Sequence, residues 1–376
     1  MIRLARPAID DDDVEAVAAA LRSGNLVQGE RVAAFEGECA KVLGGGVEAV
    51  AVTNCTAALQ LALMALDVGP GDVVAVTAYS WISTANVVEL CGATPLFVDV
   101  DVDTHNMSSA ALRTALDRAP GPVKAVLPVH TFGQVAEMSE LASIAADAGA
   151  PVVEDAACAL GCRHDGRPAG TIGALGCFSF HPRKAITTGE GGLVATADRD
   201  LADRVRALRN HGLDPNAASP DFVRAGFNCR LTEMQAALGS TQLAKLDRLI
   251  AERRDQAALY GELLGGLPLT LPSPREPERH VYQSYVALLP TGLGEGAPAR
   301  FVAAMRAHDV ETTIGTWHMP LTTHFRTTGG YTRGDFPGAD EVFDRAVSLP
   351  LWSGLTADDQ ATVAAAVTDV LTELSS

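Results

Sequence analysis

Hydrophobic positions between residues 47 and 196 follow the two spacings that distinguish strands from helices. Short runs rich in valine and alanine recur there, and amphipathic stretches such as 56–66 and 137–148 separate several of them. The runs that predict strands are 49–53, 73–77, 95–98, 124–129, 151–154, 175–180 and 192–196. Strands that alternate with helices favour an α/β fold, in which helices cover both faces of a mostly parallel sheet. Ligands of such sheets bind at the carboxyl ends of the strands, so the residues that follow each strand are the functional candidates.

The later part of the chain predicts a second, smaller unit. Residues 232–264 have the periodicity of one long helix, and the stretch 265–279 that follows is rich in Pro and Gly. An α+β pattern then runs to the end of the chain. We therefore expect a large α/β domain over 1–255 and a small α+β domain over 256–376, with segment 1–25 as a candidate to pack on the small domain.

Charge and composition exclude several classes of partner. The net charge is −17, with 47% hydrophobic and 20% charged residues. These values are ordinary for a globular chain, and an acidic protein without a basic patch is not expected to bind nucleic acid. We find no signal-peptide pattern and no run of about 18 apolar residues, so we expect a cytoplasmic protein without a membrane segment. The acidic run Asp10–Asp13 opens a helix predicted at 11–22, where carboxylates cap free N–H groups; a metal site is the weaker alternative.

The seven cysteines are scattered along the chain, and none forms a Cys-x-x-Cys pair. This pattern is typical of reduced thiols and not of a disulfide framework or a zinc site. Cys158 and Cys162 form the closest pair, and we expect no metal there.

The stretch TNCTAALQLAL at 53–63 follows the first predicted strand and opens a helix. Thr53 or Asn54 can cap this helix, and Thr56 offers a hydroxyl beside the free N–H groups of its first turn. Such a helix N-terminus can bind a phosphate group. A capped helix without a ligand is the alternative, and the stretch alone does not decide between them.

Two further candidates follow later strands. Trp81 is either a core residue or a flat platform for a planar ring. Asp155 comes directly after an apolar strand, where a carboxylate is costly unless it is paired. Its neighbour Glu154 points to the opposite face if the strand continues, so at most one of the two reaches a site. Asp155 could hold a protonated ring nitrogen, and a structural ion pair with an arginine is the alternative.

Lysine is rare in this chain, and one of its few lysines lies in the segment FSFHPRKAITTGEGGLVAT at 178–196. Lysine occurs only at positions 41, 124, 184 and 245, while arginine supplies the other basic residues. An amine that must lose its proton cannot be replaced by a guanidinium. Lys184 lies on a loop after a strand, and we expect the adjacent Arg183 to lower its pKa, because a like charge disfavours the ammonium form. A neutral lysine amine condenses with an aldehyde. Together with the three preceding features, Lys184 indicates a pyridoxal 5′-phosphate (PLP) site.

Motifs along nearly the whole chain resemble those of the DegT/DnrJ/EryC1/StrS aminotransferases. The motifs are TNCTAALQLAL, GDVVAVTAYSWISTANVV, PVHTFGQ, VVEDAACALG, FSFHPRKAITTGEGGLVAT, RNHG, GFNCRLTEMQAALGSTQL and SLPLW. The resemblance implies a fold-type I PLP-dependent transferase with a mostly parallel seven-stranded sheet and a smaller C-terminal domain. It also implies a homodimer with a shared active site, which aminates nucleotide-linked keto-sugars.

The resemblance also implies roles for individual residues. Lys184 matches the lysine that attaches the cofactor, and Asp155 matches the partner of its ring nitrogen. The other matching cofactor contacts are Thr56, the Ala57 backbone and Ser179 at the phosphate, Trp81 on the ring, and Asn228, which reaches the phosphate across the dimer, with Arg230 nearby. Two positions depart from the family. Cys55 replaces a glycine, and Cys158 stands where Gln or His commonly contacts the phenolic oxygen of the cofactor.

Substrate residues are less well defined by the resemblance. His318 lies where family members place the sugar pocket, although a loop histidine with satisfied contacts is an equal alternative. His324 and Arg326 are weaker candidates. The stretch 209–211 offers positive charge for a diphosphate.

These observations predict PLP-dependent transamination of a nucleotide-diphosphate-linked keto-deoxysugar, at C3 or C4, with glutamate or glutamine as amino donor. One alternative substrate is a keto-cyclitol. A second alternative is sugar dehydration, but relatives with that activity have His at the position of Lys184. A non-enzymatic sensor or scaffold is the third alternative, and the presence of all four features argues against it.

Overall fold

The computed structural model describes residues 1–272, 274 and 280–375, so part of the Pro- and Gly-rich stretch lies outside the described residues. The strands are β1 (Glu48–Val52), β2 (Val73–Thr77), β3 (Tyr79–Ser80), β4 (Thr94–Val98), β5 (Val123–Leu127), β6 (Val153–Asp155), β7 (Arg163–His164), β8 (Arg167–Pro168), β9 (Leu175–Ser179), β10 (Gly192–Thr196), β11 (Tyr285–Leu288), β12 (Thr313–Ile314), β13 (Trp317–His318) and β14 (Ala346–Leu349). The helices are α1 (Asp11–Ser23), α2 (Glu30–Val42), α3 (Cys55–Ala65), α4 (Ser83–Leu90), α5 (Ser109–Asp117), α6 (Met138–Asp147), α7 (Arg199–Arg209), α8 (Glu233–Leu243), α9 (Leu246–Leu264), α10 (Ala297–Ala307), α11 (Thr323–Gly329), α12 (Pro337–Arg345) and α13 (Ala357–Leu374).

The strands expected between residues 49 and 196 all form, and they build the central sheet. Four of them pair in the order β1-β10-β9-β6, and three pair in the order β4-β2-β5. Parallel bridges from Val126 to Val152 and from Val129 to Asp155 connect the two groups. Strand β10 runs antiparallel to β1 and β9, whereas the other pairings are parallel. The expected α/β class is therefore confirmed.

Helices cover both faces of the sheet, and β1 shows why its sequence is apolar throughout. Ala49 and Ala51 pack into a core with α2 and α6. Val50 and Val52 pack into a second core with α3, α4 and α7. Because successive side chains point to opposite faces, a strand between two cores needs apolar residues at every position.

A third core, under the sheet β11-β14-β12, lies in the C-terminal part of the chain. Helix α9 joins this part to the rest, because Leu249 and Ile250 pack in the first core while Tyr260 and Leu264 pack in the third. The expected boundary between residues 255 and 256 therefore falls inside a helix that both cores share.

Segment 1–25 divides its contacts between the two parts of the chain. The Ile2 N–H donates to Asp309 O at 2.7 Å, and the Leu351 N–H donates to Leu4 O at 3.1 Å. Helix α1 instead packs against α8. Asp10 and Asp13 form a capping box at the start of α1, as the acidic run predicted.

The single long helix predicted over 232–264 is wrong, because the chain turns between α8 and α9. The Lys245 N–H donates to Gln242 O, three residues back, so the regular helical ladder is interrupted. The Lys245 ammonium lies 2.6 Å from Asp10 Oδ2 and 2.9 Å from Asp13 Oδ2. The turn thus places a lysine against α1, and it lets α8 pack on α1 and α2 while α9 packs on α13.

The described residues contain neither a membrane-spanning helix nor a cluster of metal ligands. No helix there is long and apolar enough to cross a membrane. No group of three or more His, Cys, Asp or Glu side chains there is arranged to hold a metal ion. All seven cysteines are free.

Candidate active site

The loops that follow β6 and β9 meet at the carboxyl ends of these neighbouring strands. Lys184 lies on the loop after β9, where its N–H donates to His181 O at 2.8 Å. Its ammonium donates to the sulfur of Cys158 at 3.0 Å. Cys158 follows Asp155, the last residue of β6, by three positions. Lys184 therefore contacts the short segment that begins at Asp155, and the contact is made by Cys158.

The pKa of Lys184 is raised in this environment, so the expected lowering by Arg183 is wrong. Burial favours the neutral amine, but the sulfurs of Cys158 and Cys55 and the carboxylate of Asp155 outweigh burial and raise the pKa. The Arg183 side chain is exposed, and solvent screens its charge.

Asp155 is buried at the end of β6. Its Oδ2 accepts a hydrogen bond from Thr84 Oγ1 at 2.8 Å, and its Oδ1 accepts one from the Ala157 N–H at 3.2 Å. Burial raises the pKa of Asp155, while Thr84, the Ala157 N–H and Lys184 act in the opposite direction. Among the residues described, no arginine forms an ion pair with Asp155. The ion-pair alternative thus has no support, and a cationic group bound here would stabilise the carboxylate.

Glu154 points to the opposite face, as the strand geometry predicted, and is used structurally. Its carboxylate lies 2.8 Å from His130 Nε2, and both side chains are fully buried. It also accepts hydrogen bonds from the backbone N–H groups of Gly170, Ile172 and Gly173 at 2.6 to 2.7 Å. Glu154 therefore fixes the loop before β9, and Asp155 alone faces the site.

The first turn of α3 offers free backbone N–H groups. Asn54 is the N-cap, and its Oδ1 accepts the Ala57 N–H at 2.8 Å. In this structure the Ala57 N–H is therefore occupied by the cap. The N–H groups of Cys55 and Thr56 have no partner among the described residues, and Thr56 is exposed. An anion at this helix end would meet these two N–H groups and the Thr56 hydroxyl.

Ser179 borders the same helix end because of a glycine on the neighbouring strand. Ser179 pairs directly with Gly192 in the sheet. A Cβ at Gly192 would lie 2.5 Å from the carbonyl carbon of Asn54 and 2.7 Å from the nitrogen of Cys55. Only a glycine allows β10 to approach the first turn of α3 so closely. This contact explains the last glycine of the GEGG sequence.

Trp81 is 62% exposed, so the alternative of a core tryptophan is wrong. Its carbonyl accepts the Thr84 N–H at 3.2 Å, and the Thr84 side chain binds Asp155. Trp81 is therefore one helical turn from the residue that orients the buried carboxylate.

This set of groups fits PLP. The first turn of α3 with the hydroxyls of Thr56 and Ser179 suits a phosphate, Asp155 suits a protonated ring nitrogen, and Lys184 suits the aldehyde. These groups come from the ends of β1, β6 and β9, and the order of strands in the sheet brings them together.

Asn228 and Arg230 lie on a segment that runs beside β1. Asn228 is exposed and pairs with Asn210, whose side-chain oxygen accepts a hydrogen bond from Arg230 Nη1 at 2.6 Å. Arg209 is buried and pairs with Glu36 at 2.5 Å. Arg209 is therefore a structural cation, and the suggestion that it meets a diphosphate is wrong.

His318 is buried in β13 and does not line an open site. Its side chain packs edge-on against the rings of Phe336 and Phe343, and its Nε2 lies 3.3 Å from Asp340 Oδ1. Burial lowers the pKa of His318, with Asp340 acting in the opposite direction. Only the adjacent Trp317 is exposed, at 44%.

The two weaker substrate candidates, His324 and Arg326, lie on α11. His324 Nε2 is 2.5 Å from Glu89 Oε2, near the C-terminus of α4. Glu89 is about 7.5 Å along the helix axis from Thr84, at a rise of 1.5 Å per residue. Arg326 is exposed on the same short helix. Among the described residues, neither side chain is hydrogen-bonded to Lys184, Cys158 or Asp155.

Two residues near the site had no role in the sequence interpretation. Thr84, three residues after Trp81, could have been found from the helical spacing that places both on one face. Gly133, in the PVHTFGQ motif, has φ +91°, and a Cβ there would lie 2.9 Å from both Cys158 O and the Gln283 nitrogen. Gly133 therefore allows the chain near residue 283 to pack against the Cys158 loop.

Comparisons of the sequence and of the structure with known proteins identify the same family. The sequence profile of the DegT/DnrJ/EryC1/StrS aminotransferase family matches residues 7–368. The chain is 37% identical to GDP-perosamine synthase of Caulobacter vibrioides over 332 residues, covering 87% of this chain and 86% of that protein. It is 34% identical to the spore coat polysaccharide biosynthesis protein SpsC of Bacillus subtilis over 376 residues, covering 97% and 96%. The crystal structure of the aminotransferase TlmJ from Streptoalloteichus hindustanus superposes with a TM-score of 0.90 at 30% identity, over 100% of both chains.

Proposed function

Because the chain belongs to the DegT/DnrJ/EryC1/StrS aminotransferase family of PLP-dependent sugar aminotransferases, we propose that it aminates a nucleotide-diphosphate-linked keto-deoxysugar. The amino group comes from glutamate or glutamine and goes to a keto carbon at C3 or C4. The observation that carries the proposal is the meeting of Lys184, Cys158 and Asp155 at the ends of β6 and β9. The relative named for a GDP-linked sugar supports the nucleotide-linked substrate class.

The proposed reaction gives a defined role to each of four residues: Lys184, Asp155, Thr84 and Trp81. Bound PLP supplies a ring that withdraws electrons from the reacting carbon. Lys184 holds the cofactor between turnovers, and its Nζ takes a proton from the α-carbon of the amino donor as general base. Asp155 keeps the ring nitrogen protonated, and Thr84 holds the Asp155 carboxylate in place through its 2.8 Å hydrogen bond. Trp81 presents its exposed ring as a stacking platform.

The phosphate end of the proposed site uses groups from two copies of the chain. Thr56, Ser179 and the first turn of α3 bind the phosphate from one copy, and Asn228 of the second copy completes the site. Exposed apolar side chains flank Asn228, since Phe222 is 64% and Phe227 41% exposed. A patch of this kind is costly in water and is expected to be covered, which supports a homodimer with shared sites. The proposed location is the cytoplasm, where seven free thiols stay reduced.

The substrate class can be tested with the half-reaction that regenerates the starting cofactor. The PLP-loaded protein is treated with glutamate until its near-visible absorbance band disappears, and excess glutamate is removed. Keto-sugars linked to dTDP, UDP or GDP, and a keto-cyclitol, are then added separately. We expect a nucleotide-linked sugar to restore the band. Recovery with the keto-cyclitol alone, or with none of these compounds, would contradict the proposed substrate.

Replacing Asp155 with asparagine should slow the glutamate half-reaction about 10²-fold, the effect of losing one strong electrostatic contact in an active site. PLP attachment should persist, because Lys184 and the phosphate contacts remain. Single-turnover absorbance measures the rate. Thr84→Val keeps the carboxylate but loses the hydroxyl contacts to Asp155 and to Ser80, so it is the matched variant and should have a smaller effect. An unchanged rate in Asp155→Asn would show that the carboxylate does not serve the ring nitrogen.

A further inference from the structure

The contact between Cys158 and Lys184 joins a nucleophilic sulfur to the amine that the proposed function requires. The two atoms are 3.0 Å apart, and Cys158 is partly exposed at the end of the sheet. A cation at this distance stabilises a thiolate, which is the form of cysteine that reacts with peroxides. Transamination itself needs no sulfur at this position.

The six other cysteines are expected to be less reactive, because among the residues described they lack a lysine ammonium hydrogen-bonded to the sulfur and burial disfavours their thiolates. Burial raises the pKa of each of the six other thiols, those of Cys39, Cys55, Cys91, Cys162, Cys177 and Cys229. Cys162, four positions from Cys158, donates its thiol hydrogen to Gly133 O at 2.9 Å, and burial raises its pKa to about 12. None of these six sulfurs is bonded to a lysine in the described structure. Oxidation is therefore expected to begin at Cys158.

We propose that hydrogen peroxide links Cys158 to Lys184 through a reversible sulfur–nitrogen bond, which blocks the lysine that attaches the cofactor. In the first step the Cys158 thiolate attacks one oxygen of peroxide, the O–O bond breaks, and the sulfur is oxidised to a sulfenic acid. The hydroxide that leaves takes a proton from the Lys184 ammonium and departs as water, so peroxide is reduced and the amine becomes neutral. In the second step the neutral Lys184 amine attacks the sulfur. The S–N bond forms, the S–O bond breaks, and the hydroxide leaves with an amine proton as water.

The second step follows from the change of charge in the first. The ammonium of Lys184 is favoured against burial partly by the sulfur beside it. A sulfenic acid is neutral, so it no longer stabilises the ammonium, and burial then favours the nucleophilic free amine. A dithiol reverses the link, because attack of one thiol on the sulfur releases the amine and a second thiol restores Cys158 as the dithiol is oxidised to its disulfide.

The link is specific to the state in which Lys184 is free. In the proposed function PLP occupies the Lys184 nitrogen, so bound PLP protects against the link. Full-length protein with and without PLP is treated with hydrogen peroxide, quenched with catalase, and analysed by intact mass and non-reducing peptide mapping. Without PLP we expect a protein about 2 Da lighter, because two hydrogens are lost, with the Cys158 and Lys184 peptides joined. Dithiothreitol should restore both the mass and the capacity to attach PLP.

Three variants separate this link from other oxidation products. Cys158→Ser should lose it, and Cys91→Ser, which removes a partly exposed thiol elsewhere, should keep it. Lys184→Arg should instead accumulate Cys158 sulfinic acid, about 32 Da heavier. A disulfide to another cysteine would also remove two hydrogens, but it would persist in Lys184→Arg and would overturn the proposal.

The inference and the proposed function fail in different ways. Wild type that shows no joined peptides without PLP disproves the link and leaves the substrate experiment unaffected. Joined peptides that form equally with PLP present support the link but contradict attachment of PLP at Lys184.

Discussion

Replacing Lys184 with alanine is expected to lower the rate of transamination by about 10⁴-fold, the upper range for loss of a positioned general base. The variant should still bind PLP weakly, because Thr56, Ser179 and the first turn of α3 are untouched. Covalent attachment should disappear, since no other lysine lies in the site. Lys124 lies on β5, and Lys245 is paired with Asp10 and Asp13. Borohydride reduction followed by intact mass measures attachment, and single-turnover absorbance measures the rate.

Arg183→Ala is the matched control for Lys184→Ala. It removes the adjacent cation, which is exposed and is not among the groups that shift the pKa of Lys184. We expect PLP attachment and rate to stay within a few-fold of wild type. A Lys184→Ala protein that kept covalent PLP, or an Arg183→Ala protein that lost it, would place the attachment at a different residue.

Replacing Glu154 with alanine is expected to destabilise the fold by about 3–5 kcal/mol, the cost of removing one partner from a buried ion pair. His130 would lose its carboxylate, and the N–H groups of Gly170, Ile172 and Gly173 would lose their acceptor. Urea unfolding followed by circular dichroism measures the change. The adjacent Asp155→Asn substitution is the control and should change stability little, because burial already disfavours the Asp155 carboxylate.

The contribution of Glu154 to the stability of the fold depends on pH, because its carboxylate is paired with His130. Burial alone would raise the pKa of Glu154, but His130 and the backbone N–H groups outweigh burial and lower it. A lowered carboxyl pKa stabilises the fold above the unfolded value of about 4.3 and loses this effect as the pH falls through the folded value. The difference in the free energy of unfolding between wild type and Glu154→Ala should therefore become smaller below about pH 4. A difference that stayed constant between pH 7 and pH 3 would show that Glu154 is not an ionised partner of His130.

The strands of the central sheet could be predicted from the local sequence, because each strand between two cores must be apolar throughout. The same local pattern also placed Asp155 and Lys184 on strand ends, where the structure joins them through Cys158. The break between α8 and α9 was not predictable in this way, since the periodicity continues through it. What interrupts the helix is packing against α1, more than 200 residues earlier in the chain.

Side-chain use depended on partners that the sequence does not reveal. Arg209 is a suitable diphosphate ligand by type, but Glu36 and the Ala51 carbonyl already bind it. His318 lies in a two-residue strand against β3, which buries its ring. The environment of Lys184 was misjudged because only its sequence neighbour was considered, whereas residues from other strand ends set its pKa.

The pairing of residues 1–4 has a consequence for how the chain is made. The backbone of Ile2 is hydrogen-bonded to Asp309 and Glu311, and the carbonyl of Leu4 accepts a hydrogen bond from Leu351. A ribosome that adds about 5–20 residues per second needs roughly 20–70 s to reach Leu351 after Leu4 has been made. The partners of Ile2 are made about 40 residues before Leu351, so both pairings wait for the last part of the chain, and residues 2–4 dock in one of the last steps of folding. Extra residues placed directly before Ile2 would thus slow this late docking step and leave the earlier assembly of the central sheet unaffected.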